Sequence, residues 1–197
     1  MNRLTIFLVL VVCMVCIGCK TTSTSVINID IDIPSHDIKT LAVMRFDDKL
    51  IQDNAVTGVF IKTISNPDAG EMLATIMTNE LLSWNIYKIL TRSEVRDKIR
   101  IGRAKEVELV KRRDYTALGK ILKADAVIIG KIHSFDLSRM PVYERGTVSF
   151  TAECLDTKNG RILWSVEANE SASYKDEIEL ASKVIREVIE KLKKEME

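Results

Sequence analysis

The stretch from 147 to 171 leaves the chain few choices. It reads TVSFTAECLDT, then Lys158-Asn159-Gly160, then RILWSVEANES. In the first arm Val148, Phe150, Ala152 and Cys154 alternate with polar residues, the period of a half-buried strand. Asn-Gly favours the left-handed dihedrals of a tight turn, so the two arms are predicted to form a β-hairpin. Just upstream, ADAVIIGKI (124–132) is an unbroken apolar run, as expected of a central strand buried on both faces.

The rest of the chain builds a sheet and helices around this hairpin. VINIDIDI (26–33) places Ile27, Ile29, Ile31 and Ile33 on one face of a strand, with Asn28, Asp30 and Asp32 on the other. KTLAVMRF (39–46) and YKILTR (87–92) read as two further strands. AGEMLATIMTNELLSW (69–84) has apolar residues on its i, i+4 rows and reads as an amphipathic helix. Ser93 is the expected cap of a charged helix SEVRDKIR. Further helices are expected over 114–123 and from Lys175 to about Lys194. The order predicts a one-domain α/β fold, a mixed β-sheet flanked by helices. Residues 47–70 form an unusually long connection, which marks them as a candidate contact surface.

The amino terminus is a different kind of segment. Met1 to Arg3 is short and positive, and Leu4 to Gly18 is uncharged and aliphatic. Fifteen helical residues would span about 22 Å, short of a ~30 Å hydrocarbon core, so a signal peptide fits better than a membrane span. The segment ends Cys16-Ile17-Gly18-Cys19 and is followed by a polar run, Lys20 to Ser25. This arrangement resembles the lipobox of bacterial lipoproteins. The resemblance implies cleavage before Cys19, diacylglycerol on its thiol, and Lys20 favouring the outer membrane, with the domain on its periplasmic face. The expected organisation is a signal peptide at 1–18, lipidated Cys19 and short tether at 19–26, and one domain at 27–197. Acyl chains supply about 0.8 kcal/mol per buried CH₂. Residues 20–26 would reach about 25 Å at ~3.5 Å each.

That reading removes most cysteine chemistry. Cys13 and Cys16 leave with the signal, Cys19 becomes a thioether, and Cys154 is left without an internal disulfide partner. Without residues 1–18 the chain has 28 basic and 28 acidic residues. Such a surface has no bulk field for nucleic acid or anionic lipid, although a local patch remains open.

Candidate catalytic groups are sparse. Glycine-rich phosphate loops and nucleophile elbows are missing from the sequence. His36 lies in a linker, and His133 ends the predicted central strand as a solvent-facing or satisfied side chain. Cys154 has no evident base and reads as a small core residue. Asp30 and Asp32 read as a solvated outer face rather than a cation site. Asp125, Asp136 and Asp156 sit near strand ends, and Trp84 and Trp164 read as core anchors. No catalytic residue, cofactor, metal or small-molecule substrate is expected.

Four segments, in order, resemble one family: IKTLAVMRFDD, GEMLATIMTNELLSWNIYKILTRSEVRDKI, ALGKILKADAVIIGKIHSFD and the hairpin with its GRILWS core. Together with the lipobox they are similar to the CsgG/LpoB-related lipoproteins of the bacterial envelope, over roughly residues 38–195. The resemblance implies a CsgG-like α/β periplasmic domain, no enzymatic activity, and partners that are envelope proteins or further copies of the chain. The CsgG pore of that group spans the membrane with two long hairpins per subunit, each strand ~9 to 11 residues long. Here the corresponding slots are SFDLSRMPVYERG, interrupted by Pro141, and the short link from Ser171 to Asp176. The expected role is therefore a lipid-anchored binding or assembly module without the pore's hairpins. The alternative is an LpoB-type activator of a peptidoglycan synthase, which the short tether argues against; a subunit of a CsgG-type secretion channel ranks last.

Overall fold

The computed structural model describes residues 23–31, 38–52, 62–139 and 144–196. Seven strands form a single mixed sheet. They are β1 (Ser23–Ile31), β2 (Thr40–Val43), β3 (Lys62–Ser65), β4 (Lys88–Leu90), β5 (Ala126–Arg139), β6 (Glu144–Asp156) and β7 (Ile162–Ser173). The helices are α1 (Lys49–Gln52), α2 (Ala69–Trp84), α3 (Arg92–Ile101), α4 (Glu106–Lys111), α5 (Tyr115–Leu122) and α6 (Glu177–Met196). The sheet order is β1-β7-β6-β5-β2-β4, with β3 pairing β5 off this path. This is the expected α/β architecture. Three neighbours, β5, β2 and β4, run parallel, and the remaining pairs are antiparallel.

β5 divides its length between two partners. Ala126–Ile128 lies beside β2, and Asp136–Arg139 lies beside β3. Between these halves His133 is an extra residue: Ile132 pairs Phe150 and Ser134 pairs Ser149. This bulge shifts the alternation by one. Ile128 and Ile132 face the core before it, and Phe135 and Leu137 face the core after it. The strand therefore does not end at His133 but continues through 134–139. SFDLSRMPVYERG (134–146) is thus largely the outer half of the β5–β6 hairpin, and Pro141 lies outside the described residues.

The β6–β7 hairpin forms as predicted, with a longer connection than a two-residue turn. Asp156 N–H donates to Arg161 O at 2.9 Å, and Gly160 N–H donates to Asp156 O at 2.8 Å. Gly160 has φ +73°, a conformation that costs a residue with a Cβ. The Asp156 carboxylate accepts from Lys158 N–H at 2.6 Å. At the base of the turn buried Thr157 donates to the Ala124 carbonyl at 2.9 Å, which fastens the hairpin to the start of β5.

Two apolar layers enclose the sheet. On one face α2 and α6 bury Leu73, Met77, Leu81, Val184, Ile185 and Val188 against Phe150, Ala152, Val166 and Ala168. On the other face α3 and α5 cover only the β2, β4 and early β5 corner, burying Val95, Ile99, Leu118 and Leu122 on Ala42, Leu90 and Val127. No described helix covers the rest of that second face, which carries Asn28, Asp30, Glu167 and Asn169 exposed, beside half-exposed Thr151 and Glu153. β1 starts at Ser23, so the strand takes in Ser23–Ser25 of the run read as tether. β7 is long enough to pair them, as Ser23↔Ala172 through Ser25↔Glu170.

Candidate functional site

The charged residues of this fold gather at the carboxyl ends of β2 and β4. In open α/β sheets a crevice at such strand ends, where the connections diverge, is where ligands bind. Here the chain leaving β2 turns into α1 and α2 on one face, and the chain leaving β4 enters α3 on the other. Thr91 caps α3: its hydroxyl accepts from Glu94 N–H at 3.3 Å, and Glu94 accepts in return from Thr91 N–H at 2.8 Å. This is a reciprocal capping box, and the cap is Thr91 rather than Ser93. The bond from the Thr91 backbone, more than any other cause, holds the Glu94 carboxyl below its ordinary pKa.

The cap swings Arg92 into the crevice, where its side chain is 5% exposed. Nε and Nη2 donate to Glu71 at 3.2 and 2.6 Å. Nη1 donates to the Val43 carbonyl at 2.6 Å and to Glu106 at 3.0 Å, and Nη2 also donates to Glu106 at 3.2 Å. A guanidinium has five N–H donors, and all five are used. Burial alone would lower the Arg92 pKa, but the bonds from Glu71 and Glu106 outweigh it and raise the value. Glu106 also accepts from Arg45 N–H, and Arg96 adds a second cation to Glu71 at 3.0 Å. The Arg45 guanidinium pairs with Asp48 at 2.6 Å, and the same carboxylate accepts from Gly70 N–H at 3.2 Å. Three cations face three carboxylates. The cluster ties the ends of β2, α2, α3 and α4 together and keeps no guanidinium donor of Arg92 for a ligand.

Beside the cluster, Arg45 to Lys49, Val107, Val110 and Lys111 line an open groove of about 480 Å³. The first residues of the 47–70 connection thus form one groove wall and α4 the other. The rest of that connection is α1, the four residues of β3 and the turn into α2, and 53–61 lie outside the described residues.

The other candidates are spread across the fold. Asp125 accepts from Lys39 and Thr40 N–H groups and joins the starts of β5 and β2. Asp136 accepts from the Ser134 hydroxyl, and Asp156 holds the hairpin turn. His133 is exposed at the bulge, 3.4 Å from Thr151. Cys154 is buried, and burial, with a smaller push from Asp156, raises its thiol pKa far above the usual value. Trp84 and Trp164 are 8% and 4% exposed and sit in the core. Trp84 meets the Tyr87 ring edge-on at 5.6 Å, with Lys193 5.9 Å from its face. Asp30 is exposed on the open sheet face. His36, Asp32 and the lipid-attachment residue Cys19 lie outside the described residues. Among the described residues no three His, Cys, Asp or Glu side chains converge as a metal site, and no helix is long and apolar enough to cross a membrane.

One charged surface is not visible until the helices are placed. Residues 88–123 contain twelve Lys or Arg against five Asp or Glu; Lys88 lies on β4 and Arg92 is buried in the crevice, and α3, α4, α5 and the turns at their ends carry the other ten. Lys111, Arg112, Arg113, Lys120 and Lys123 are all exposed. Ile101, at 77%, and Val107, at 50%, protrude among them. The near-zero charge of the whole chain hides this sorting.

No family model matches the chain, and no curated protein matches it. Solved structures do. The PelC dodecamer from Paraburkholderia phytofirmans aligns with TM-score 0.58 at 15% identity, over 84% of this chain and 95% of that one. Lipoprotein GNA1162 from Neisseria meningitidis aligns with TM-score 0.55 at 18% identity, over 79% of this chain and 99% of that one. At these identities the likeness is one of fold, and it extends along nearly the whole of both relatives.

Proposed function

We propose that this chain is a non-enzymatic lipoprotein of the bacterial envelope, anchored by an acylated Cys19, and that it works as a binding and assembly module. The charge sorting carries the reading. Ten basic residues against five acidic ones over α3, α4, α5 and their turns, with buried Arg92 and the strand residue Lys88 left out, make a surface for an acidic partner in the envelope. The charged crevice, the feature most like a catalytic site, is occupied by its own ion pairs. The likeness in fold to a dodecamer and to a lipoprotein supports self-association and lipid attachment. The anchoring leaflet is the periplasmic face of the outer membrane, as Lys20 after the lipobox suggests. β1 begins four residues after Cys19, a reach of at most about 14 Å. So short a link favours this reading over an activator that must stretch to a distant synthase.

Cross-linking mass spectrometry on native membranes tests it, together with the intact mass of the purified protein. The expected result is an acylated chain beginning at Cys19, cross-linked to envelope proteins or to itself through Lys105, Lys111 and Lys120. Cys19→Ser is expected to lose acylation and to leave the membrane fraction. Retention of that variant through Leu4–Gly18, with an uncut amino terminus, would overturn the lipoprotein reading in favour of an anchor helix.

A further inference from the structure

The outward edge of β1 is a long backbone surface that no described strand covers. Its direction follows from the hydrogen-bond parity. Tyr174 N–H donates to Glu144 O at 2.8 Å, and bonded pairs alternate along an antiparallel ladder. Gly146/Ala172, Val148/Glu170, Phe150/Ala168 and Ala152/Val166 are then the bonded pairs of β6 and β7. The β7 residues between them turn to β1, where they meet Thr24, Val26, Asn28 and Asp30. Ser25, Ile27, Ile29 and Ile31 aim their backbone groups away from the sheet. A contact agrees: Lys191 on α6 donates its amine to Ile27 O at 3.4 Å, in the place an added strand's N–H would take. Alongside, Ile27, Ile29, Lys191, Lys194 and Glu195 line a groove of about 320 Å³. The strand is nine residues long and contains no proline. Such an edge is a template for pairing with another chain.

The position of Ser23 selects the occupant and its orientation. Lipid at Cys19, four residues away, requires every copy to present its Ser23 end to one membrane. An antiparallel two-fold joint of β1 with β1 would point the two Ser23 ends in opposite directions, about 26 Å apart at ~3.3 Å per residue. A head-to-tail joint keeps them level. Among the described strands, the other edge at that end of the sheet belongs to β3. Pairings place Ser23, Ala172, Gly146, Leu137 and Ile64 in one row across β1, β7, β6, β5 and β3. β1 and β3 run in the same direction, because four antiparallel steps separate them. We propose that copies of this chain join head-to-tail, the outward edge of β1 in one copy pairing in parallel with the outer edge of β3 in the next. The sheet then continues from copy to copy around an axis along the strands. This rests on the self-assembling, lipid-anchored reading above.

The test uses the full chain with its anchor, in non-ionic detergent, by native mass spectrometry and residue-resolved amide exchange. Ile29→Pro removes one outward N–H and leaves the bonds to β7 in place, the position at which an edge strand tolerates proline. Ile29→Val keeps the N–H. Wild type and Ile29→Val are expected to be oligomers whose Ile27, Ile29 and Ile31 amides exchange at least tenfold more slowly than at monomeric dilution, with matching protection in 62–65. Ile29→Pro is expected to be a folded monomer. An oligomer that survives Ile29→Pro, or whose β1 edge amides exchange as fast as in the monomer, overturns the edge joint while leaving self-assembly intact. Protection of β1 without β3 overturns the choice of partner strand. A wild type that is monomeric at all concentrations overturns both. The wild-type exchange pattern decides the matter even if Ile29→Pro fails to fold.

Discussion

At the scale of the residue, Arg92 shows how a surface-looking motif becomes internal. In TRSEV it reads as one more charge on a charged helix. The Thr91/Glu94 box turns it inward, and β2, α2 and α4 then supply one carbonyl and two carboxylates. The sequence carries the cap, but Glu71 and Glu106 are 21 and 14 residues away, so their convergence is not legible in it. Breaking a buried pair by removing one partner costs about 3–5 kcal/mol. Arg92→Ala is expected to lose that much in urea denaturation, and a loss under about 1 kcal/mol would show the cluster is incidental. Arg92→Lys should recover only part, having three donors where five are used. The Glu94 carboxyl is depressed, so its contribution is present above its unfolded pKa, about 4.3, and is lost as pH falls through the lower folded value. The stability gap between wild type and Glu94→Gln is thus expected at pH 7, should begin to narrow as pH falls past about 4.3, and should close only below the lower folded value. Lys183 has the opposite sign. Its bond to buried Glu170, 2.8 Å long, raises its pKa. That contribution is full below the unfolded value near 10.4 and fades as pH rises through the folded one. Thermal melts of wild type and Lys183→Met should therefore converge only at strongly alkaline pH.

At the scale of the element, the strands whose alternation is unbroken were readable: β6, β7 and the Ile27 to Ile31 part of β1. β5 was half readable because His133 shifts the phase, and a period-2 pattern with one residue inserted looks like an ending. The partners of β5 set a second constraint. Gly130 lies where Phe46 crosses the sheet, and a Cβ there would come within 2.2 Å of that ring. Glycine in a strand interior often marks such a close approach. Gly130→Ala is expected to cost about 1–3 kcal/mol by forcing Phe46 out of its place, with the thermal midpoint as the measurement. If Phe46 is also cut back in Gly130→Ala/Phe46→Leu, part of that loss should return. An unchanged midpoint in the single variant would mean the ring relaxes freely. Helices α2, α3, α5 and α6 were readable in place, whereas α1 and α4, of four and six residues, are too short to show a helical period and were not. The side of the sheet each one covers depends on the route of the chain, and no local pattern encodes it.

At the scale of the whole molecule, net charge concealed the most distinctive property. Basic residues of 88–123 offset acidic ones elsewhere, and only the fold shows that all but Lys88 and buried Arg92 lie on α3, α4, α5 and the turns at their ends. Reversing Lys111, Arg112 and Arg113 to Glu is expected to abolish cross-links from this layer to acidic partners and to leave the melting temperature within a few degrees. Wild-type cross-linking should weaken as ionic strength rises, because exposed charges are screened within about 8 Å at physiological salt. Salt-insensitive cross-linking would exclude a charge-driven contact. The layout of β1 also has a mechanical meaning. Its bonds to β7 lie across the strand direction, and the chain enters at Ser23 along that direction. If the chain is anchored at Cys19 as proposed, a pull along the strand from the Ser23 end would load the nine-residue ladder in shear, with all its bonds strained together. The same pull applied from the Ile31 end, across the sheet, would peel them one at a time. An anchor at Cys19, as proposed, would therefore sit at the end of the strand where tension is resisted best.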